Sequence, residues 1–189
     1  MYEVMLSNVN YSYSDHRVLQ DINFTAEAGD FVCLLGPSGC GKSTLLRLLA
    51  GLSFPSSGAI TLDGKQISGP GLDRGVVFQD YSLFPWMTAG QNIVLALEQA
   101  FPGKKKDVYH HAAADYLEMV GLGDAYDKLP GLLSGGMRQR AAIARAFAIN
   151  APVLLMDESR ASSRLTCPVR AYVRNSTRPR RLPPCGTDL

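Results

Sequence analysis

A glycine-rich segment limits the possible folds of this chain more than any other part of its sequence. Residues 36–44 read Gly-Pro-Ser-Gly-Cys-Gly-Lys-Ser-Thr, directly after the apolar run 31–35 and directly before the helix-forming run 45–49. Glycines allow the backbone to turn so that consecutive N–H groups point inward, and the following helix adds its positive end. The segment therefore predicts a strand, a phosphate-binding loop and a helix in succession.

The side chains of this segment match the needs of a triphosphate and its metal ion. Lys42 is placed to reach the β- and γ-phosphates as a point charge, and the Ser43 hydroxyl is placed to complete the coordination of Mg²⁺. An ordinary glycine-rich turn is disfavoured, because strand and helix signals flank the segment. Nine residues are thus candidate nucleotide ligands: Gly36, Pro37, Ser38, Gly39, Cys40, Gly41, Lys42, Ser43 and Thr44.

Length and composition are those of a globular chain. Its 189 residues are 46% hydrophobic, enough to bury the core of one domain with a subdomain. The first residues lack the basic and apolar segments of a secretory signal, and no uninterrupted apolar span of membrane length follows. We therefore expect a cytoplasmic protein. The four cysteines lack the spacing of a metal site.

Charge is distributed unevenly along the chain. Residues 1–158 contain 12 Lys and Arg against 16 Asp and Glu, whereas residues 159–189 contain seven Arg against one Asp. Such a change marks a boundary. We favour a shifted reading frame in a truncated copy as the cause of this change in charge, and we then expect residues 159–189 to be disordered. The alternative is a genuine basic tail that binds nucleic acid or anionic lipid. The run 104–106 of three lysines is a weak case for nucleic acid, and we expect no such partner.

Signals for strands dominate the first third of the chain. Residues 4–13 and 18–24 are rich in β-branched and aromatic residues, and Asp63-Gly64 is a strong hairpin signal. Residues 75–78 form a further short strand candidate. From residue 88 to about residue 122 the apolar residues follow helical spacing. The pattern predicts an antiparallel strand region followed by a helical insertion.

Later elements direct acidic residues toward the phosphate loop. Ser134 is a good N-cap for a helix over residues 137–149. The continuous apolar run 153–156 then indicates a parallel strand covered on both faces, and it ends at Asp157 and Glu158. Ligands bind at the carboxyl ends of the strands in open α/β sheets. We therefore expect the acidic pair to face the phosphate loop.

Four motifs together resemble the ATPase subunit of ATP-binding cassette (ABC) transporters: residues 36–44, Gln79, the run Leu-Ser-Gly-Gly-Met-Arg-Gln-Arg at 133–140, and residues 153–158. The resemblance implies an α/β fold. A P-loop NTPase core, with an N-terminal antiparallel β-subdomain, would comprise residues 1–87 and 134–158. Residues 88–133 would form a helical subdomain. By this resemblance, the C-terminal part of the core would be missing, and residues 159–189 would be a basic tail unlike the family.

The resemblance also assigns roles in the chemistry of the nucleotide. It makes Asp157 the carboxylate that holds Mg²⁺, with Ser43 and Gln79 as further metal ligands. Gln79 would sense both Mg²⁺ and the γ-phosphate. Glu158 would be the catalytic general base that orients and polarises the attacking water. ATP and Mg²⁺ are therefore the implied cofactors.

The same resemblance implies an aromatic partner for the adenine ring. Tyr13 occupies the position of the residue that stacks on adenine in the family. Tyr11 is close enough in sequence to compete for this role, and a strand tyrosine that packs on the core is the plainer alternative. We favour Tyr13.

A partner copy is implied by the motif at residues 133–140. Family members dimerise head to tail, so that this signature in one copy closes over the ATP of the other. The contacts would come from Ser134, Gly135, Gly136 and Met137, the last at a position where the family often has Gln. The start of a helix suits the γ-phosphate of the partner's ATP. We therefore expect a homodimer.

Residues 75–88 are similar to the importers of nitrate, sulfonate and taurine within the family. In these importers the segment after Gln79 docks the membrane permease, and exposed Phe84, Trp86 and Met87 would suit such a groove. The resemblance implies an ATP-hydrolysing subunit, peripheral at the inner face of the cell membrane, that drives import of such solutes. The alternative is a nucleotide-binding remnant without coupled transport.

The sequence departs from the family after Glu158. The family continues with an Ala-Leu-Asp loop, further strands and helices and a switch histidine, whereas all three histidines of this chain precede Asp157. We therefore expect the strand at 153–156 to have an uncovered edge. We also expect nucleotide binding to outlast efficient turnover in this truncated form.

Overall fold

The structure is a computed structural model that describes residues 2–14 and 16–157 and the backbone of residues 169–173. The chain divides into two compact units. Of the described residues, those up to 79 together with 152–157 and 169–173 form the first, which we call the sheet unit, and residues 80–151 form the second, which we call the helical unit.

The sheet unit contains eight strands among its described residues and one helix, α1, at Lys42–Leu49. The strands are β1 Val4–Tyr13, β2 His16–Ala26, β3 Phe31–Leu34, β4 Ser57–Leu62, β5 Lys65–Gln66, β6 Arg74–Val77, β7 Val153–Met156 and β8 Val169–Val173. They form two four-stranded sheets, in the orders β2-β1-β4-β5 and β3-β8-β7-β6.

The first sheet is antiparallel throughout and confirms the predicted strand region. Strands β1 and β2 pair from Tyr13 opposite His16 at the turn onward. The hairpin predicted at Asp63-Gly64 joins β4 to β5, and both turn residues have positive φ angles of 51° and 73°. Positive φ at both central residues is the hairpin geometry that matches the twist of the strands.

The second sheet brings the carboxyl ends of three strands to one edge. Strand β6 pairs parallel to β7, while β8 pairs antiparallel to both β7 and β3. Strands β3, β6 and β7 therefore run in the same direction. In register, Cys33 and Met156 both lie opposite Arg170, and Val77 lies opposite Met156. The carboxyl ends of β3, β6 and β7 are therefore in register, and the segments that follow them leave the sheet at the same edge.

Strand β8 corrects two expectations about the end of the chain. The strand at 153–156 is paired on both sides, so the expected uncovered edge is wrong. The expectation of a disordered tail also does not hold at Val169–Val173, where β-branched and aromatic residues favour a strand and the edges of β3 and β7 offer unpaired backbone groups. The rest of the tail lies outside the described residues.

Helix α1 anchors the phosphate loop to the core of the sheet unit. Its Leu46, Leu48 and Leu49 are buried in one apolar cluster with Val9 and Leu155. Full burial of a leucine side chain contributes about 1.5–3 kcal/mol. These three leucines therefore fix the helix, and with it the end of the loop that precedes it.

The helical unit contains α2 Ala89–Ala100, α3 Lys106–Met119 and α4 Gly135–Ala148, with 3₁₀ turns at Gly123–Ala125 and Pro130–Leu132. Thr88 begins α2 with a capping box to Gln91. Alanines on α4 allow it to pack closely on α2 and α3, which contribute Ile93 and Leu117. Helix α4, expected in the nucleotide-binding core, thus packs with the helical unit, which begins at residue 80 rather than 88. Among the described residues, no helix is both long and apolar enough to cross a membrane.

Candidate functional site

The phosphate loop lies between β3 and α1, with the Lys42 side chain folded over it. Its ammonium donates to the carbonyl oxygens of Gly36 and Pro37, each at 2.7 Å, and lies 3.5 Å from the sulfur of Cys40. The amide of Cys40 closes the turn on the Pro37 carbonyl at 3.3 Å. The positive charge is therefore held over the loop that the sequence predicts as a phosphate site.

Helix α1 starts at Gly41, and any other residue at this position would force the neighbouring atoms of β2 to move. Gly41 is the N-cap at a φ of 93°, and no side chain caps the helix. A Cβ atom here would lie 2.8 Å from the Leu19 side chain and 3.2 Å from the Val18 carbonyl. The first N–H groups of the helix have no partner within it. The loop thus presents uncapped N–H donors to an anion.

Asp157 lies at the edge of the second sheet where the phosphate loop begins. Its N–H donates to the Val77 carbonyl at 2.8 Å, so the end of β7 is fixed to the end of β6. One carboxylate oxygen, Oδ1, is buried and has no hydrogen-bond partner among the described residues. A buried carboxylate oxygen without a partner costs free energy, unless it serves a ligand that arrives from outside.

The donors around this edge fit Mg²⁺. A magnesium ion keeps several waters and takes one or two carboxylates together with phosphate oxygens, so a single orphaned carboxylate is sufficient. Ser43 is exposed on the first turn of α1, and Gln79 is exposed two residues after β6. No cluster of three or more His, Cys, Asp or Glu suited to a metal occurs within the described part of the chain. Glu158, the predicted base, lies outside it.

Tyr13, at the end of β1, is the more accessible of the two tyrosines considered for adenine. It is 45% exposed, whereas Tyr11 is half-buried against the core of the sheet unit. The two rings meet edge to face, with centroids 4.9 Å apart. Hydrogen bonding by Thr44 lowers the pKa of the Tyr13 hydroxyl, with smaller lowering effects from Tyr11 and Arg47. Tyr13 is thereby connected to the last residue of the phosphate loop.

The predicted signature lies at the start of α4 in the helical unit. The Ser134 hydroxyl accepts a hydrogen bond from the Met137 N–H at 3.3 Å, and the Arg138 guanidinium donates to the Leu133 carbonyl at 2.8 Å. A Cβ atom added at Gly135 or Gly136 would meet nothing within 4 Å. As far as the described residues are concerned, the Cβ positions of the two glycines therefore face open space.

Sequence reasoning missed two polar residues that organise the segment after Gln79. Asn92 is 1% exposed within the apolar face of α2, and Arg145 is half-buried in the alanine-rich α4. Both bond to backbone groups of residues 81–88. The available signal was a polar residue at a position where helical spacing calls for an apolar one.

Comparison with known proteins shows that the phosphate loop, the start of α4 and Asp157 all lie within the match to one protein family. The ABC transporter family model matches residues 19–161. A bicarbonate transport ATP-binding protein, CmpC, of Synechocystis sp. is 47% identical over 82% of this chain and 24% of its own length. A nitrate import ATP-binding protein, NrtD, of the same organism is 53% identical over 74% of this chain and 52% of its own length. The chain thus spans between a quarter and a half of these relatives.

A solved structure shares the fold. The dimeric post-hydrolysis state of the ATP-binding cassette MJ0796, bound to ADP and Pi, is 34% identical and superposes with a TM-score of 0.74 over 82% of this chain and 73% of its own. The α/β cassette fold that the motifs implied is confirmed. Because the family match contains the phosphate loop, the signature helix and the strand that ends at Asp157, this chain belongs to the ABC transporter family.

Proposed function

We propose that this chain is the ATP-binding and ATP-hydrolysing subunit of an importer for nitrate-like solutes. One observation carries the proposal. The phosphate loop with Lys42 and the Asp157 carboxylate, whose Oδ1 has no hydrogen-bond partner among the described residues, follow strands that end at the same edge of the second sheet. The solute class rests on the relatives, which are named for nitrate and bicarbonate transport. A nucleotide-binding remnant without turnover is less favoured, since these relatives are transport ATP-binding proteins.

Each group at this edge has a defined task in the proposal. The N–H groups at the start of α1 and the Lys42 ammonium bind the phosphates, and Lys42 exchanges its two carbonyl partners for phosphate oxygens. Asp157 and Ser43 hold Mg²⁺, which neutralises charge on the β- and γ-phosphates when bound. Gln79 reports on the γ-phosphate, and Glu158 takes a proton from the attacking water. Tyr13 stacks on the adenine.

Two further surfaces complete the proposal. The start of α4, with Ser134, Gly135 and Gly136, would close on the ATP of a second copy, because its glycines leave space for an approaching phosphate. Exposed Phe84 and Trp86 would contact a membrane permease, and the subunit would then lie at the cytoplasmic face of the membrane. Support for both comes from the family and from the dimeric neighbour.

The test measures nucleotide binding by the full chain with a fluorescent ATP analogue, in EDTA and in Mg²⁺, and then phosphate release. We expect Mg²⁺ to tighten binding about tenfold, equivalent to about 1.4 kcal/mol, and Asp157→Asn to remove that gain. Asp124→Asn is the control, because Asp124 is an exposed acid of the helical unit. Absence of ATP binding by folded protein would refute the proposal, and binding without phosphate release would favour the remnant.

A further inference from the structure

The segment after Gln79 contains a strained turn. Tyr81 and Ser82 have φ angles of 64° and 43°, so two consecutive residues other than glycine adopt the left-handed conformation. A Cβ atom makes that conformation unfavourable, and pairs of such residues persist only where surrounding contacts hold them. Asp80 supplies a local contact, because its carboxylate accepts from the Ser82 N–H at 3.1 Å and from the Ser82 hydroxyl at 2.7 Å.

Arg145 of α4 binds both carbonyl groups of this turn. Its guanidinium donates to the Ser82 carbonyl at 2.7 Å and to the Tyr81 carbonyl at 3.3 Å. Burial lowers the pKa of the Arg145 side chain, and the charge of Asp80 opposes the shift. A buried charge is costly unless it is hydrogen-bonded. The two bonds to the Ser82 and Tyr81 carbonyls therefore hold the Arg145 side chain in place as well as the turn.

Asn92 of α2 holds the other end of the same segment. Its side-chain oxygen accepts from the Phe84 N–H at 2.8 Å. Its amide nitrogen lies within 3.2 Å of the carbonyl oxygens of Phe84, Met87 and Thr88. Asn92 is buried, so these bonds do not compete with bulk water.

Residues 81–88, which we call the Trp86 loop, are therefore fixed at both ends while their centre is exposed. Trp86 is 71% exposed and its ring lies 5.4 Å from that of Phe84. Helix α4 connects this loop with the signature, since Arg145 and Ser134 are on the same helix about 16 Å apart along its axis. All of these residues belong to the helical unit.

We propose that Arg145 is a positioning residue that holds the strained Tyr81–Ser82 turn and so fixes the Trp86 loop to α4. The inference deepens the proposed function, on which it rests, because it explains how a permease-docking loop and a phosphate-binding helix start are kept in a constant arrangement. Arg145 itself contacts neither nucleotide nor permease in this scheme. Its effect is on the mobility of Trp86.

Trp86 is the single tryptophan of the chain, so its fluorescence reports on this loop alone. The experiment is time-resolved fluorescence anisotropy of the full chain without nucleotide, in Arg145→Gln and Arg145→Lys. We expect Arg145→Gln to increase the amplitude of the nanosecond depolarising component about twofold, because the loop gains local motion. Arg145→Lys keeps the charge and one donor group, so it should restore part of the rigidity.

Arg140→Gln is the matched control. Arg140 lies on the same helix and also donates to two backbone carbonyls, those of Val120 at 2.9 Å and Gly121 at 3.3 Å, but neither belongs to the Trp86 loop. We expect it to leave the Trp86 anisotropy unchanged. Unaltered anisotropy in Arg145→Gln, or an equal change in Arg140→Gln, would overturn the inference.

A measurement on the unmodified protein tests the same contact if the Arg145 variants do not fold. In NMR exchange experiments, the guanidinium protons of Arg145 should exchange with solvent about tenfold more slowly than those of exposed Arg47. Equal exchange would refute the inference. Neither experiment uses nucleotide, so a failure of ATP binding would count against the proposed function alone.

Discussion

Helices α1 and α4 both begin next to glycines of the predicted nucleotide motifs, and their starts differ in a way that separates two kinds of proposed phosphate site. Helix α1 begins at Gly41 without any side-chain cap, whereas the start of α4 is capped by the Ser134 hydroxyl. Within the described part of the chain, no side chain caps the first N–H groups of α1, which an α-helix leaves without partners of its own. At α4 one of them, that of Met137, is already bonded, and Gly135 and Gly136 provide the rest.

The surroundings of the glycines differ as well. Gly41 touches β2, so the packing of its own chain requires a residue without a Cβ atom. A Cβ atom at Gly135 or Gly136 would meet none of the described residues within 4 Å, so the described packing does not require these positions to be small. Packing within the described residues therefore accounts for a glycine at the start of α1, whereas it sets no such requirement at Gly135 and Gly136, in keeping with the proposed contact of the α4 start with the ATP of a second copy.

The largest expected effect concerns the packing of Gly41 against β2. Gly41→Ala combines a positive φ, at about 1–2 kcal/mol, with a forced contact to Leu19, at about 1–3 kcal/mol, so we expect a loss of about 3 kcal/mol in the free energy of unfolding. Gly39→Ala is the matched control, because Gly39 has a φ of 81° but open space around its Cβ position. Urea unfolding measures both. Equal losses would mean that contact with β2 does not distinguish Gly41.

The next effect concerns the charge above the phosphate loop. Lys42→Ala removes the ammonium that the Gly36 and Pro37 carbonyls hold in place, and we expect ATP affinity to fall about 30-fold, equivalent to about 2 kcal/mol. The fold should tolerate the change, since Lys42 is not part of the core cluster. Lys65→Ala, at an exposed position of β5, is the control. Unchanged affinity for a fluorescent ATP analogue in Lys42→Ala would contradict the assignment.

Local signals were sufficient to predict most elements near both helix starts. The strand before the phosphate loop, the hairpin at Asp63-Gly64 and the helix after Ser134 depend on residues that are neighbours in sequence. The predicted range 137–149 for the last of these differs from Gly135–Ala148 by two residues at its start. Turn chemistry and helix caps act within a few residues, so they are visible in the sequence.

Contacts between distant segments were not visible in the same way. Arg145 and Ser82 are 63 residues apart, and the helical spacing around Arg145 shows only that a charged residue occurs among alanines. The pairing of β8 with β3 and β7 also joins distant segments. Motif order indicated that Asp157 accompanies the phosphate loop, but the burial of its Oδ1 without a partner follows only from the packing of β7.

The smallest effect separates the observed role of the Ser134 hydroxyl as a helix cap from its proposed role in binding the ATP of a second copy. Ser134→Ala removes the cap of α4, and Thr88→Ala removes the comparable cap of α2; each should cost about 1 kcal/mol in the free energy of unfolding. Matched losses in thermal unfolding would establish that the variants are equally perturbed. Only Ser134→Ala should then slow phosphate release, by about threefold to tenfold, because only the α4 start is proposed to meet the ATP of a second copy.

Comparing the rates of phosphate release by Ser134→Ala and Thr88→Ala decides whether the Ser134 hydroxyl only caps α4 or also binds phosphate. If phosphate release falls equally in both, the loss follows from the helical unit as a whole, and Ser134 is a helix cap alone. If turnover stays at the level of the unmodified chain in Ser134→Ala, then the backbone N–H groups of Gly135 and Gly136 are sufficient for the contact. A selective fall requires the hydroxyl itself to exchange its bond with the Met137 N–H for one with phosphate.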